Sequence, residues 1–122
     1  MQPLAIVFYE RLMPGSQLVN RLQDLNYRVL TLNNPAQLAA TVKRETPLLV
    51  LIDMAARGEI TAAIEKIRTD ATTNHVPVIA FAPDEKPELL AAAQQAGAHL
   101  TIADSGLATH LPALIDQVLH VE

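Results

Sequence analysis

The sequence predicts a single α/β domain over residues 1–122, in which a doubly wound parallel sheet of five strands is covered by helices on both faces. Short apolar runs alternate with longer segments whose apolar residues recur at helical spacing, in five successive strand–helix units. The runs LLVLIDM (residues 48–54) and VPVIAFA (76–82) are almost continuously apolar, which is typical of strands buried on both faces. No linker or repeat divides the chain, and 122 residues suit one domain.

Five strands and their connecting helices can be placed along the chain. The second strand alternates apolar and polar residues, which predicts an edge position. Asn34 followed by Pro35 predicts a helix start, and Thr46 before Pro47 predicts its end. Strands separated by helices imply right-handed crossovers between parallel neighbours. The predicted strands are residues 4–8, 27–32, 48–54, 76–82 and 98–103.

The last two helices also carry boundary signals. Asp84 is the expected cap of the fourth helix, and Gly97 suits the left-handed position just past its end. For the last helix, Thr109 is the expected cap, with Pro112 in the first turn, where a missing N–H costs nothing.

Composition excludes several classes of protein. The chain has no cysteine, so disulfides, thiolate catalysis and cysteine-based zinc sites are excluded. The net charge is −4 without any Lys/Arg cluster, which argues against a nucleic-acid or anionic-membrane surface. The four histidines, His75, His99, His110 and His120, lack metal-binding spacing, so we expect no metal site. The apolar runs are too short to span a bilayer and no secretion signal is visible, so we expect a cytoplasmic location.

Asp53 ends the most apolar run of the chain. A carboxylate at the end of a buried strand needs solvent, a cation or hydrogen-bond donors. Ligands and chemistry in open α/β sheets collect beyond the carboxyl ends of the strands, where Asp53 is predicted to lie. The simplest interpretation is that Asp53 accepts hydrogen bonds from backbone N–H groups of the following loop.

Over its full length the chain resembles the receiver domains of bacterial two-component response regulators. The likeness rests on the order of the elements and on four segments: LLVLID, IEKIR, VPVIAFA and QAGAHL. It implies a flavodoxin-like fold and a role in phosphorelay signal transduction. It also implies that Asp53 stands where the family accepts a phosphoryl group from a histidine kinase.

The residues that support this chemistry in the family are replaced together here. Phe8 and Tyr9 occupy the acidic pair that holds Mg²⁺, and Glu10 lies one place further on. At the position of the family's phosphoryl-binding Lys this chain has Asp104, which reverses the charge there. Where the family has a hydroxyl residue at the end of the fourth strand, this chain has Ala82. Where the family has an aromatic switch residue in the fifth strand, it has Thr101.

We therefore expect a stand-alone, degenerate receiver of the pseudo-receiver type. It would be a non-enzymatic module that needs no cofactor, acts by protein–protein contact and is not phosphorylated at Asp53. The first alternative is a working phosphorelay receiver whose unusual Mg²⁺ site includes Glu10. The second is a flavodoxin-like domain that binds a small ligand over Phe8 and Tyr9. The resemblance also implies a possible homodimer through the fourth helix, fifth strand and fifth helix.

Overall fold

The computed structural model describes residues 2–119, with Ala108 described by its backbone only; His120 lies outside these residues. The elements alternate strictly between strand and helix, with a 3-10 turn over Pro35–Gln37 before α2. The strands are β1 Leu4–Phe8, β2 Arg28–Leu32, β3 Leu49–Asp53, β4 Val78–Ala82 and β5 Leu100–Ala103. The helices are α1 Leu12–Asp24, α2 Leu38–Glu45, α3 Ile60–Thr69, α4 Pro87–Ala96 and α5 Asp104–Leu119.

All five strands are parallel and lie in the order β2-β1-β3-β4-β5, which confirms the predicted fold. β2 is an edge strand and is partly exposed, as its alternating sequence predicted. The winding reverses between β1 and β3. The crevice beyond their carboxyl ends is the place where such sheets position functional groups.

The sheet separates two apolar cores. Side chains from α2, α3 and α4 cover one face, and side chains from α1 and α5 cover the other. In β3, Val50 and Ile52 enter the first core, whereas Leu49 and Leu51 enter the second. Both faces of the central strands are buried, which explains why their sequences are continuously apolar.

Several predicted helix boundaries are confirmed. The Asn34 side chain accepts a hydrogen bond from the Ala36 N–H at 3.0 Å and so caps the 3-10 turn. α2 ends before Thr46, which has a φ of 45°. Gly97 has a φ of 117° just past α4, a conformation that glycine adopts without a steric penalty.

Two predicted caps are wrong. Asp84 does not cap α4, whose first turn has no side-chain cap; its carboxylate accepts instead from the Ser105 N–H at 3.0 Å. Thr109 does not cap the last helix, because α5 begins at Asp104 and contains Pro112 in its interior. The helix begins early because Leu107 extends the buried stripe of Leu111 by one turn. Within the described residues, no helix is both long enough and apolar enough to cross a membrane.

Candidate functional site

Asp53 ends β3 and is fully buried, with 0% of its surface exposed. Side chains alternate along a strand, so Asp53 lies on the same side of the sheet as Leu49 and Leu51, the side covered by α1 and α5. Its Oδ1 accepts a hydrogen bond from the Ala55 N–H at 3.0 Å. This contact confirms the predicted bond to the following loop.

The main partner of Asp53 is Arg11, a residue that the sequence interpretation did not single out. Arg11 Nη2 lies 2.7 Å from Asp53 Oδ1, and Arg11 Nε lies 3.1 Å from Oδ2. The guanidinium therefore binds both oxygens of the carboxylate in the two-pronged geometry that only arginine provides. The Arg11 side chain is 28% exposed, so the ion pair is shielded from most of the solvent.

The same guanidinium also binds Asp104 at the start of α5. Arg11 Nη1 lies 2.7 Å from Asp104 Oδ2, and Nη2 makes a longer contact of 3.4 Å to Oδ1. Arg11 thus bridges the ends of β3 and β5 from the loop after β1. The hydrogen bond to Asp53 is the largest cause that raises the pKa of Arg11 above its ordinary value, and Asp104 adds to it.

Asp104, which stands where the resemblance implies a lysine, is therefore paired with a cation from another part of the chain, Arg11. A second carboxylate beside Asp53 would be repelled by it if both were unpaired. With Arg11 between them, Asp104 instead helps to hold the cation in place. We name this arrangement the Asp53–Arg11–Asp104 bridge.

Glu10 points to a different partner. Its carboxylate pairs with Arg57, whose Nη2 lies 3.0 Å from Oε2, while Arg57 Nε lies 3.1 Å from the same oxygen. The hydrogen bond from the Arg57 side chain lowers the pKa of Glu10 below its usual value. Glu10 is therefore engaged by the loop after β3 rather than by the Asp53–Arg11–Asp104 bridge.

The two aromatic residues after β1 have different environments. Phe8 is fully buried in the core beneath α2, α3 and α4, so its ring is not accessible to a ligand. Tyr9 is partly buried on the other side, against Gly15. A side chain at residue 15 would overlap the Tyr9 ring, so glycine is needed for this close approach.

The other residues named from the sequence, Ala82, Thr101 and Asp84, lie in the sheet or just beyond its strands. Ala82 is fully buried at the end of β4. Thr101 is partly buried in β5 and lies opposite Ala80 of β4. Asp84 joins the start of α5 through Ser105, and this hydrogen bonding lowers the pKa of the Asp84 carboxyl. Among the described residues, neither Ala82 nor Thr101 makes a side-chain hydrogen bond to Asp53, whereas Asp104 is joined to Asp53 through Arg11.

A Mg²⁺ ion of the kind the resemblance implies does not fit these residues. Both Asp53 oxygens already accept hydrogen bonds, and the carboxylate of Asp104 faces the same guanidinium. Mg²⁺ prefers hard oxygen ligands in tight octahedral geometry, and an arginine offers none. In residues 2–119 no group of three or more His, Asp or Glu side chains is arranged to hold a metal ion.

No protein-family model matches this sequence, and no curated protein matches it. Solved structures of receiver domains do match its fold. The receiver domain of a sensor histidine kinase from Pseudomonas aeruginosa, solved with magnesium in its active-site cleft, has a TM-score of 0.88 at 17% identity, covering 99% of this chain and 100% of that one.

Two further receiver structures agree. The receiver domain of NtrX from Brucella abortus has a TM-score of 0.82 at 18% identity and covers 97% of this chain and 99% of its own. The chemotaxis response regulator CheY4 of Vibrio cholerae has a TM-score of 0.83 at 14% identity, with coverages of 98% and 100%. The chain therefore has the receiver-domain fold over its described length.

Proposed function

We propose that this chain is a degenerate receiver domain that signals without phosphorylation of Asp53, through contact with a protein partner and without enzymatic activity. The observation that carries the proposal is the Asp53–Arg11–Asp104 bridge. A guanidinium from the chain itself lies against both oxygens of the carboxylate that a phosphodonor would have to reach.

Phosphorylation would require two changes at once. Asp53 would have to lose the two short contacts to Arg11 to present a nucleophilic oxygen. The product would then place a doubly charged group beside Asp104, which repels it. Arg11 cannot offset this fully, because its single charge already serves Asp104 as well as Asp53.

A divalent cation would meet the same obstacle. In phosphoryl transfer the metal neutralises the charge that builds up on the phosphoryl oxygens. Here a positive charge already lies between the carboxylates, so an entering Mg²⁺ would first have to displace it. We therefore propose a receiver that needs no metal cofactor.

The test is incubation of the intact protein with acetyl phosphate and Mg²⁺, followed by intact-mass spectrometry. We expect no phosphate-sized adduct, while a phosphorylatable receiver in the same mixture provides the positive control. An adduct on the natural sequence that disappears in Asp53→Asn would overturn the proposal. It would also promote the phosphorelay alternative.

The variant Arg11→Ala distinguishes a phosphorylation site that Arg11 merely blocks from a site that has lost the residues it needs. Arg11→Ala removes the internal cation but leaves Asp53, Glu10 and Asp104 in place. We expect this variant to stay unmodified, because Ala82 supplies no hydroxyl and Asp104 supplies no positive charge. If the variant forms an adduct that the natural protein lacks, Arg11 alone suppresses an otherwise working site.

The same proposal extends to the kind of partner, the cellular location and the oligomeric state of the protein. A receiver fold without chemistry of its own must act by binding, so we propose a protein partner in a bacterial signalling pathway and a cytoplasmic location. A homodimer through α4, β5 and α5 is one form of such contact, and β5 is one of the two edge strands of the sheet. Sedimentation analysis over a range of concentrations tests it; a monomer throughout would exclude a stable dimer.

A further inference from the structure

Two large apolar side chains are displayed next to the Asp53–Arg11–Asp104 bridge. Leu12 is 73% exposed and Met13 is 60% exposed. The described residues contain one other exposed large apolar side chain, Leu48, at 39%. Single exposed apolar residues are common on protein surfaces, whereas Leu12 and Met13 are consecutive and directly follow Arg11 of the bridge.

The backbone around this pair is held in place from both sides. Arg11 has an extended backbone, and its side chain turns inward to the two carboxylates. Met13 also lies outside helical dihedral angles, with φ −104° and ψ 122°, although it falls within the bounds of α1. Gly15 follows and packs against the Tyr9 ring. Leu12 and Met13 are therefore presented from an anchored turn.

The end of the sheet that displays the pair carries an excess of acidic residues. We define the acidic rim as the residues at the carboxyl end of the sheet, from the strand ends into the first turns of the helices that follow: residues 9–14, 33–37, 53–59, 83–88 and 104–106. They contain seven Asp and Glu residues and three Lys and Arg residues, which leaves four negative charges. This equals the net charge of −4 for the whole sequence. The rest of the sequence is balanced, so the imbalance is confined to the edge that displays Leu12 and Met13.

Two of the three positive charges in the acidic rim are already paired. Arg11 serves Asp53 and Asp104, and Arg57 serves Glu10. The bridge keeps one net negative charge, and the Glu10–Arg57 pair is neutral. The other three negative charges come from four exposed acidic residues and one exposed lysine: Glu59, Asp84, Glu85, Glu88 and Lys86. A partner would therefore meet an apolar pair at an acidic end of the sheet. Complementary potential is what steers and orients a protein partner on such a surface.

We propose that Leu12 and Met13, together with the acidic rim, form a docking surface for a protein segment that carries apolar side chains flanked by Lys or Arg. The inference rests on the proposed function, since it names the chemistry of the partner through which the domain would act. The unbranched Met13 side chain, whose sulfur accepts a contact from Ser16 Oγ at 3.9 Å, can adapt its shape to such a segment.

Other occupants fit this surface less well. A second copy of the chain docking through the same edge would bring acidic rim against acidic rim. An anionic lipid surface would be repelled by the same charge.

The test uses a synthetic amphipathic peptide of Leu and Lys as the probe, with a Leu/Glu peptide and a Ser/Lys peptide as matched controls. Fluorescence anisotropy with the full chain should show saturable, salt-sensitive binding of the Leu/Lys peptide alone. The double variant Leu12→Ser, Met13→Ser should weaken this binding about tenfold or more, because two apolar contacts are lost. Leu48→Ser, next to the amino end of the central strand β3 and so at the opposite end of the sheet, is the matched control and should leave the binding unchanged.

Several outcomes would overturn the proposal. The first two are failure of the Leu/Lys peptide to bind and binding of the Leu/Glu or the Ser/Lys peptide as tightly as the Leu/Lys peptide. The third is a loss of Leu/Lys peptide binding in Leu48→Ser as large as that in the double variant. Association with anionic vesicles lost in the double variant would point to a membrane instead. Because Leu12 and Met13 are exposed, the double variant should keep its melting temperature. The result is separate from the phosphorylation test: an Asp53 adduct with the peptide data intact would overturn the proposed function and leave the docking surface standing.

Discussion

Glu10 and Arg11 are consecutive residues, and each forms an ion pair with the end of β3 or the loop that follows it. The two pairs have very different surroundings. In the Arg11–Asp53 pair the side chains are 28% and 0% exposed, whereas in the Glu10–Arg57 pair they are 35% and 89% exposed. The contact distances are similar, at 2.7 and 3.0 Å. Distance alone therefore does not rank the two interactions.

Burial separates them. An exposed ion pair gains little, because water and salt screen the attraction and both side chains lose freedom. A buried pair is different, since removing one partner leaves the other charge without solvent or a counterion. Asp53 has no exposed surface, so its charge depends on Arg11 and on the Ala55 N–H. A shift of one residue along the sequence can therefore separate a buried, structural ion pair from one at the surface.

The largest expected effect is that of Arg11→Ala. It leaves the Asp53 carboxylate buried with one remaining donor and exposes it to Asp104. We expect a loss of about 2 to 3 kcal/mol of unfolding free energy, at or just below the lower limit of about 3 kcal/mol for breaking a buried pair, because Arg11 itself is partly exposed. Urea unfolding would measure it. A change too small to resolve would show that water replaces the guanidinium at no cost.

Asp53→Asn removes the buried charge but keeps the shape of the side chain. The amide oxygen can still accept from the Ala55 N–H, and Arg11 keeps Asp104 as a counterion. We expect a loss of about 1 to 2 kcal/mol, since one charge-assisted pair is lost while no carboxylate is stranded. Urea unfolding compared with Arg11→Ala is the check. A larger loss than in Arg11→Ala would mean that the guanidinium, not the carboxylate, is the costly group to leave unpaired.

Arg11→Lys keeps the charge and removes the planar fork. A lysine cannot bind both oxygens of Asp53 and reach Asp104 in the same geometry. We expect a loss of about 1 kcal/mol, which is smaller than for Arg11→Ala because the carboxylates still face a cation. Equal losses in Arg11→Lys and Arg11→Ala would show that geometry alone, and not charge, stabilises the bridge.

The fold was predictable from this sequence because periodicity records burial directly. Residues 49–52 are apolar on both sides because each side meets a different core, and the alternation of β2 reflects its edge position. Helix starts were less predictable. Asp84 has a cap-like sequence context, but Ser105, distant in the sequence, supplies its hydrogen-bond partner.

The site was predicted in part. Asp53 was singled out from its place at a strand end and Asp104 from the resemblance to receiver domains, but their common partner was not. A signal did exist: a buried carboxylate requires a donor, and Arg11 lies three residues past the end of the adjacent strand β1. Which of residues 10 and 11 turns inward could not be read from the pattern. It depends on the backbone of the loop, where Arg11 is extended and Tyr9 is held against Gly15.

The smallest expected effect is that of Arg57→Ala, and it tests the comparison most directly. Arg57 is 89% exposed, so we expect no resolvable change in urea unfolding at neutral pH, in contrast to Arg11→Ala. Any contribution must follow the sign set by Glu10, whose pKa Arg57 lowers from 4.5. It would be present above that unfolded value and would fade as the pH falls through the lower folded pKa, and added salt would screen it. Unfolding of the natural protein and the variant at neutral and acidic pH, with and without salt, measures this. A loss in Arg57→Ala that matches Arg11→Ala and persists in high salt would show that burial does not distinguish the two pairs.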